Sequence, residues 1–164
     1  MKKVVTVTLG SSKQDFEFKT QFLGQSFSVR RMGADQDTGK AWELMRRQQA
    51  TADAIGLGEI PDHYQVGVRT VINKETERLT NVVTRVPVTT GATLRRMLQV
   101  RAVRYVQKEL GNYFNNNLVL FLSGMRNYDM AVAMSDYTKN LSLADAIFQT
   151  GAPTRQTTLE QLER

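Results

Sequence analysis

A glycine turn at the start of the longest helical segment carries the residues best suited to bind a ligand. Thr89-Thr90-Gly91-Ala92-Thr93-Leu94-Arg95-Arg96 follows a short strand-like run and leads into a helix predicted over residues 93–110. Free backbone N–H groups, hydroxyls and the helix dipole attract anions at such a point, and the two arginines add charge-assisted hydrogen bonds. The alternative is a threonine cap with solvated arginines. The first interpretation predicts a phosphate or carboxylate site.

Two other glycine turns offer related chemistry. The turn at residues 10–13 follows the first strand and carries two hydroxyls and one cation, but it lacks P-loop spacing and also resembles a solvated turn. The turn at residues 123–128 has one glycine where a dinucleotide fingerprint has three, which disfavours NAD or NADP in the usual mode. The candidate ligand-binding residues are Gly10, Ser11, Ser12, Lys13, Thr89, Thr90, Gly91, Thr93, Arg95, Arg96, Gly124 and Arg126.

No catalytic group stands out in the chain. His63, the only histidine, lies in a polar loop, where it is either a general acid or base or an ordinary loop residue. Asp35 and Asp37 precede a predicted helix, where aspartates act as caps more often than as cation ligands. Because the chain has no cysteine and one histidine, thiolate and multi-histidine metal sites are excluded, and no metal is predicted.

The positive charge is concentrated in one segment. The formal net charge is +6, and residues 85–108 contain six arginines and lysines without an acidic residue. Such a segment favours a small anionic ligand or an acidic partner surface. Nucleic acid is less well supported, because no aromatic stacking platform accompanies the charges. No apolar run is long enough to span a membrane and no secretory signal is visible, so we expect a cytoplasmic protein without a membrane partner.

Strand-like and helical segments alternate along the chain, which predicts an α/β fold with a layered, mostly parallel sheet and helices on both faces. Parallel strands are expected at residues 3–9, 52–56, 86–90, 118–123 and 141–145, all in one sheet, with antiparallel edge strands at Phe16–Thr20 and Ser26–Arg30. A further extended stretch is expected from Tyr64 to Ile72. Helices are expected at about 37–49, 73–83, 93–110 and 126–138, with a short terminal helix capped by Thr157 or Thr158.

The predicted sheet places the glycine turns together. Turns that follow parallel strands share one rim of a sheet, and ligands bind in the crevice there. Two lobes are expected, residues 1–90 and residues 91–164, the alternative being one continuous domain. The strand at 141–145 has no predicted successor, and an open sheet edge invites pairing with another chain. A homo-oligomer is therefore expected.

Several separated motifs resemble one bacterial family. They include Val-Thr-Leu-Gly-Ser-Ser-Lys-Gln-Asp-Phe-Glu-Phe at 7–18, Arg-Arg-Met-Gly-Ala-Asp-Gln-Asp at 30–37, Thr-Thr-Gly-Ala-Thr-Leu-Arg-Arg at 89–96 and Leu-Ala-Asp-Ala-Ile-Phe-Gln-Thr-Gly-Ala-Pro at 143–153. The sequence resembles quinate 5-dehydrogenase-like proteins, also labelled uncharacterised dehydrogenases, over nearly its whole length. The resemblance implies a dehydrogenase-like protein with NAD or NADP as the implied cofactor. Family members are longer, so this chain would contain only the first part of a Rossmann-like second lobe, which is then incomplete.

Two functions follow from these patterns. The first is a dehydrogenase-like α/β protein of unassigned reaction that binds a phosphate- or carboxylate-bearing small molecule at the carboxyl ends of its strands. The alternative is a non-catalytic binding or assembly protein that self-associates, or that docks on an acidic partner through its basic helix.

Overall fold

The computed structural model describes residues 1–163, in two compact units. Unit 1 contains residues 1–62 and 72–92, and unit 2 contains residues 63–71 and the chain from Thr93 onward. The strands are β1 (Lys2–Thr8), β2 (Phe16–Phe22), β3 (Gln25–Gly33), β4 (Ala54–Gly58), β5 (His63–Val66), β6 (Arg69–Ile72), β7 (Val88–Thr89), β8 (Val119–Phe121) and β9 (Leu141–Leu143). The helices are α1 (Thr38–Gln48), α2 (Lys74–Asn81), α3 (Ala92–Glu109), α4 (Tyr128–Ser135), α5 (Asp145–Thr150) and α6 (Leu159–Glu163), with a 3-10 turn at Ser12–Gln14.

Unit 1 is built on a five-stranded sheet in the order β2-β3-β1-β4-β7. β1 pairs in parallel with both β3 and β4, and β4 pairs in parallel with β7. The predicted mostly parallel sheet is thus confirmed for the first three predicted parallel strands. β2 is the antiparallel edge strand that the sequence predicts. β3 lies inside the sheet beside β1, so its predicted place at the edge is wrong.

The core of unit 1 lies on one face of the sheet. Side chains alternate across a strand, so Val5 and Val7 of β1 point to the same face, and they share a buried cluster with Met45 of α1 and Leu79 of α2. The prediction of helices on both faces is wrong for the described residues of this unit. The reason is the connection from β1 to β3: it is the hairpin strand β2 within the sheet, so no crossover helix reaches the second face.

Unit 2 has its own sheets and its own core. β8 and β9 pair in parallel as a separate two-stranded sheet, and β5 and β6 form another. The prediction that the strands at 118–123 and 141–145 join the first sheet is therefore wrong. Their apolar side chains, such as Phe121 and Leu143, pack with Val103 of α3 and Ala131 of α4 in a second buried cluster. No described helix is both long and apolar enough to cross a membrane.

The helix ends follow the capping rules read from the sequence. The Asp37 carboxylate accepts a hydrogen bond from the Lys40 amide and begins α1, as predicted for an aspartate at this position. The Thr158 hydroxyl accepts a hydrogen bond from the Gln161 amide at the start of α6, which confirms the predicted terminal cap. The predicted extended stretch from Tyr64 to Ile72 is interrupted by Gly67 at φ +58°, which separates β5 from β6.

Candidate functional site

The strand order of unit 1 marks one point on its rim. From β1 the chain proceeds through β2 to β3 on one side, and it then returns through α1 to β4 on the other side. The winding direction therefore reverses at β1. In open α/β sheets, ligands bind outside the carboxyl ends of the strands at such a reversal. The loop after β1, at residues 9–15, and the loop after β4, beginning at Glu59, flank this point.

Arg31, near the end of β3, is the centre of this rim. Its Nη1 donates to the Ser11 carbonyl oxygen at 2.9 Å and to Asp15 Oδ1 at 3.2 Å, and its Nη2 donates to Glu59 Oε1 at 3.1 Å. The Arg31 side chain is only 11% exposed, whereas the Glu59 side chain is 51% exposed. A guanidinium that has lost most of its water needs anionic partners, and here two carboxylates from the same chain supply them.

Gly10 leaves the space that the Glu59 carboxylate occupies. A Cβ atom at Gly10 would lie 2.0 Å from Glu59 Oε2, so any side chain there would displace the carboxylate. Glu59 itself has φ +60°, a left-handed conformation that costs a non-glycine residue about 1–3 kcal/mol. We call the space bounded by Gly10, Arg31 and Glu59 the rim cradle. It is a place for a carboxylate, and the protein fills it with its own.

The loop after β1 is held by a second pair of charges. Asp35 accepts a hydrogen bond from the Ser12 amide at 2.7 Å and pairs with the Lys40 ammonium at 2.7 Å. These two interactions, the Lys40 side chain first, hold the pKa of the exposed Asp35 carboxyl well below its usual range. Asp35 thus acts as a structural acceptor for the loop, and among the described residues no group of three or more His, Cys, Asp or Glu side chains forms a metal site.

The predicted anion donors of the loop after β1 are largely used within the loop. The Gly10 amide donates to Thr8 Oγ1 and the Lys13 amide to Ser11 Oγ, while the Ser12 amide donates to Asp35. The Lys13 ammonium has no ion pair in the described part of the chain. The Lys13 ammonium is therefore the group of the predicted turn that can pair with an anionic ligand.

The threonine hydroxyls of the turn at residues 89–91 are used in hydrogen bonds within unit 1. Thr89 Oγ1 accepts a hydrogen bond from the Gly91 amide at 3.1 Å, and Thr90 Oγ1 donates to Asp62 Oδ2 at 3.2 Å. The same two threonines line a groove of about 430 Å³ with the acidic side chains of Asp62 and Glu77. An anion would meet like charges there, so the groove does not favour the predicted phosphate or carboxylate.

The remaining predicted ligand residues belong to unit 2. Thr93, Arg95 and Arg96 lie in the first turns of α3, and Arg96 Nε pairs with Asp129 Oδ2 at 2.9 Å. Gly124 and Arg126 follow β8, on a different sheet from Gly10, so the expected single rim of glycine turns is not formed. His63 begins β5, also in unit 2.

The turn after β8 is filled by a buried carboxylate. Asp145, 2% exposed, accepts hydrogen bonds from Ser123 Oγ at 3.0 Å, the Gly124 amide at 2.6 Å and the Met125 amide at 3.1 Å. A dinucleotide phosphate at this turn would need those two amides.

Elsewhere in the unit, burial and the hydrogen-bonded Glu163 raise the pKa of Tyr128 to about 12.

Sequence reasoning missed the groups that organise both turns. At the first turn these are Arg31, Asp15 and Glu59, and at the second it is Asp145. The sequence contained a signal for Asp145, since Ala-Asp occurs directly after β3 (Ala34-Asp35) and again after β9 (Ala144-Asp145). The signal for Arg31 was an arginine near the end of a parallel strand.

Comparison with known families divides the chain close to the boundary between the units. Residues 3–90 match a family model described as Domain of unknown function (DUF8753), and residues 93–164 match one described as Domain of unknown function (DUF8754). No curated protein matches the chain. The first match contains the whole rim cradle.

Proposed function

Because the chain belongs to the family described as Domain of unknown function (DUF8753), we propose its function from the site that this domain builds. The protein binds a small molecule bearing a carboxylate or a phosphate, and the anionic group of that ligand occupies the rim cradle. The class of protein we propose is dehydrogenase-like, on the strength of the sequence resemblance, with the reaction unassigned.

One observation carries the proposal: the cradle already holds a carboxylate. The Glu59 carboxylate lies where a Gly10 side chain would be and pairs with the largely buried Arg31. A ligand carboxylate or phosphate has the same charge and the same acceptor geometry, so it can pair with Arg31 in place of Glu59. The position at a reversal of strand order independently favours a ligand site.

The exchange leaves no buried charge of the protein without a partner. Arg31 stays paired throughout, because Asp15 remains at 3.2 Å and the ligand replaces Glu59. Removing a partner from a buried charge would be costly, and this exchange avoids that cost. Glu59, already half exposed, moves into water at little cost in solvation. The Lys13 ammonium, on the loop after β1, offers a second charge to the ligand.

The decisive experiment removes the internal competitor. Inorganic phosphate and malonate are titrated into the full chain and into the Glu59→Gln variant, and amide chemical shifts of the loop after β1 are followed. Glutamine keeps the shape of glutamate but pairs weakly with Arg31, so we expect affinity to rise about tenfold. Unchanged or weaker binding by Glu59→Gln would refute the proposal.

Two further variants test Arg31 as the donor to the ligand. Arg31→Gln should abolish binding, and Arg31→Lys, which keeps the charge, should retain part of it because lysine cannot form the bidentate pair. Glu43→Gln is the matched control, since Glu43 is an exposed glutamate of the same unit that pairs with Arg46. Equal gains from Glu43→Gln and Glu59→Gln would show a general charge effect and would also contradict the proposal.

A further inference from the structure

The exposed surface of α3 in unit 2 is unusual for a helix of its length. Of the residues Ala92–Glu109, only Val103 and Gln107 are buried. Leu94, Met97, Leu98 and Tyr105 are each at least half exposed. A helix of a globular protein normally buries a full apolar stripe. Most of this helix therefore remains available for contact with a partner.

One side of α3 forms a groove of about 470 Å³. Met97 and Val100 supply its apolar lining, and Arg96, Arg101 and Arg104 supply its charge. These positions recur at three- and four-residue intervals, which places them along one face of the helix. The groove therefore combines an apolar strip with a row of guanidinium groups.

The charges of the groove are unevenly satisfied. Arg96 pairs with Asp129, which lies in the groove wall. Arg101 and Arg104 have no carboxylate within ion-pair distance among the described residues. Two unpaired guanidinium groups beside an apolar strip are complementary to a segment that carries both carboxylates and apolar side chains.

We propose that this groove docks an acidic, amphipathic segment of a partner protein. Arg101 and Arg104 pair with carboxylates of the segment, and Met97 and Val100 contact its apolar side chains. A nucleic acid fits less well, because its charged phosphates would face the apolar strip of Met97 and Val100, and no aromatic ring lines the described part of the groove for base stacking. A second copy of this chain also fits less well, because its net charge of +6 opposes association.

The test uses a fluorescent peptide of about twelve residues, with glutamates and leucines at helical spacing, titrated into the full chain. We expect Arg101→Ala/Arg104→Ala to weaken binding at least about tenfold, and Met97→Gln to weaken it by about threefold. The control variant Arg46→Ala/Arg47→Ala removes two exposed charges from α1 and should change affinity by less than about twofold. Circular dichroism of each variant checks that the helices are intact.

Three results would overturn the proposal. The first is absence of peptide binding, and the second is an equal loss in the α1 control, which would show a general charge effect. The third is tighter binding of a single-stranded oligonucleotide of equal charge through the same two arginines, which would identify a nucleic-acid site. None of these variants alters Gly10, Arg31 or Glu59 of the rim cradle, so this proposal and the proposed function can fail separately.

Discussion

The two units contain the same turn in two different states of burial. In unit 1 the Ala34 amide donates to the carbonyl of Thr8, the last residue of β1, and Asp35 accepts from the Ser12 amide. In unit 2 the Ala144 amide donates to the carbonyl of Phe121, the last residue of β8, and Asp145 accepts from the Gly124 amide. In each pair of parallel strands, the Ala-Asp dipeptide that follows one strand thus forms hydrogen bonds with the end of the other strand and with the loop that follows it.

The difference between the two turns lies in what surrounds the carboxylate. Asp145 is buried and accepts three hydrogen bonds, and a Cβ atom at Gly124 would lie 2.9 Å from Leu143 Cδ2 and 3.0 Å from Leu162 Cδ2. The Asp35 side chain is 45% exposed and its second partner is the solvated Lys40. The turn of unit 2 is closed by packing, while that of unit 1 is open to solvent. The rim cradle borders this open turn, since Arg31 donates to the Ser11 carbonyl oxygen.

The largest effect is expected from breaking the closed turn. Asp145→Ala leaves the buried donor of Gly124 and the partly buried donors of Ser123 and Met125 without their acceptor, which should cost about 3 kcal/mol of unfolding free energy. Urea denaturation gives the free energy, and amide hydrogen exchange locates the loss in residues 118–150. Asp35→Ala is the counterpart in the open turn and should cost much less. Equal costs would mean that burial does not distinguish the turns.

A smaller loss of stability is expected from replacing either of two glycines at the open turn, Gly33 or Gly10. A Cβ atom at Gly33 would lie 2.5 Å from the Ser11 carbonyl carbon and oxygen, which are backbone atoms that cannot move away freely. Gly33→Ala should therefore cost about 2 kcal/mol. Gly10→Ala places its Cβ atom against the far end of the flexible Glu59 side chain, and Arg31 keeps Asp15 as a partner when Glu59 turns away. The cost should therefore be less than about 1 kcal/mol, although the contact is shorter.

Thermal unfolding of the two glycine variants tests this order. Because Trp42, the only tryptophan, packs against the core of unit 1, its fluorescence reports on that unit. A lower melting temperature for Gly10→Ala than for Gly33→Ala would show that Glu59 is held rigidly. That result would also count against its displacement by a ligand.

The smallest expected effect is the pH dependence contributed by Asp35. Its pKa is lower in the folded protein than the ordinary value of 3.8, so its stabilising contribution is present above pH 3.8 and is lost as pH falls through the folded-state pKa. The difference in stability between the wild-type chain and Asp35→Asn should therefore be constant near neutral pH and vanish in strong acid. Denaturation series at several pH values measure it. A difference that grows on acidification would reverse the sign argued here.

Local structure was readable from the sequence wherever neighbouring residues determine it. The parallel strands 3–9, 52–56 and 86–90 were predicted from apolar runs ending near glycine, and caps at Asp35 or Asp37 and at Thr157 or Thr158 were predicted from side-chain chemistry; the structure has Asp37 and Thr158. The sequence also predicted that a candidate site lies at the rim of unit 1, since Gly10 follows the first strand. It did not predict which residues form that site, because Arg31, Asp15 and Glu59 meet only after β1, β3 and β4 are paired.

The sequence by itself determined the α/β class, the concentration of positive charge at residues 85–108 and the order of most helices and strands. Each of these depends on composition or on the spacing of nearby residues. Tertiary structure alone decided that the strands divide between two units, that Asp145 is buried while Asp35 is exposed, and that Glu59 fills the space at Gly10. The physical reason is that burial and ion pairing depend on distances between residues far apart in the chain, and only the packing of the sheet sets those distances.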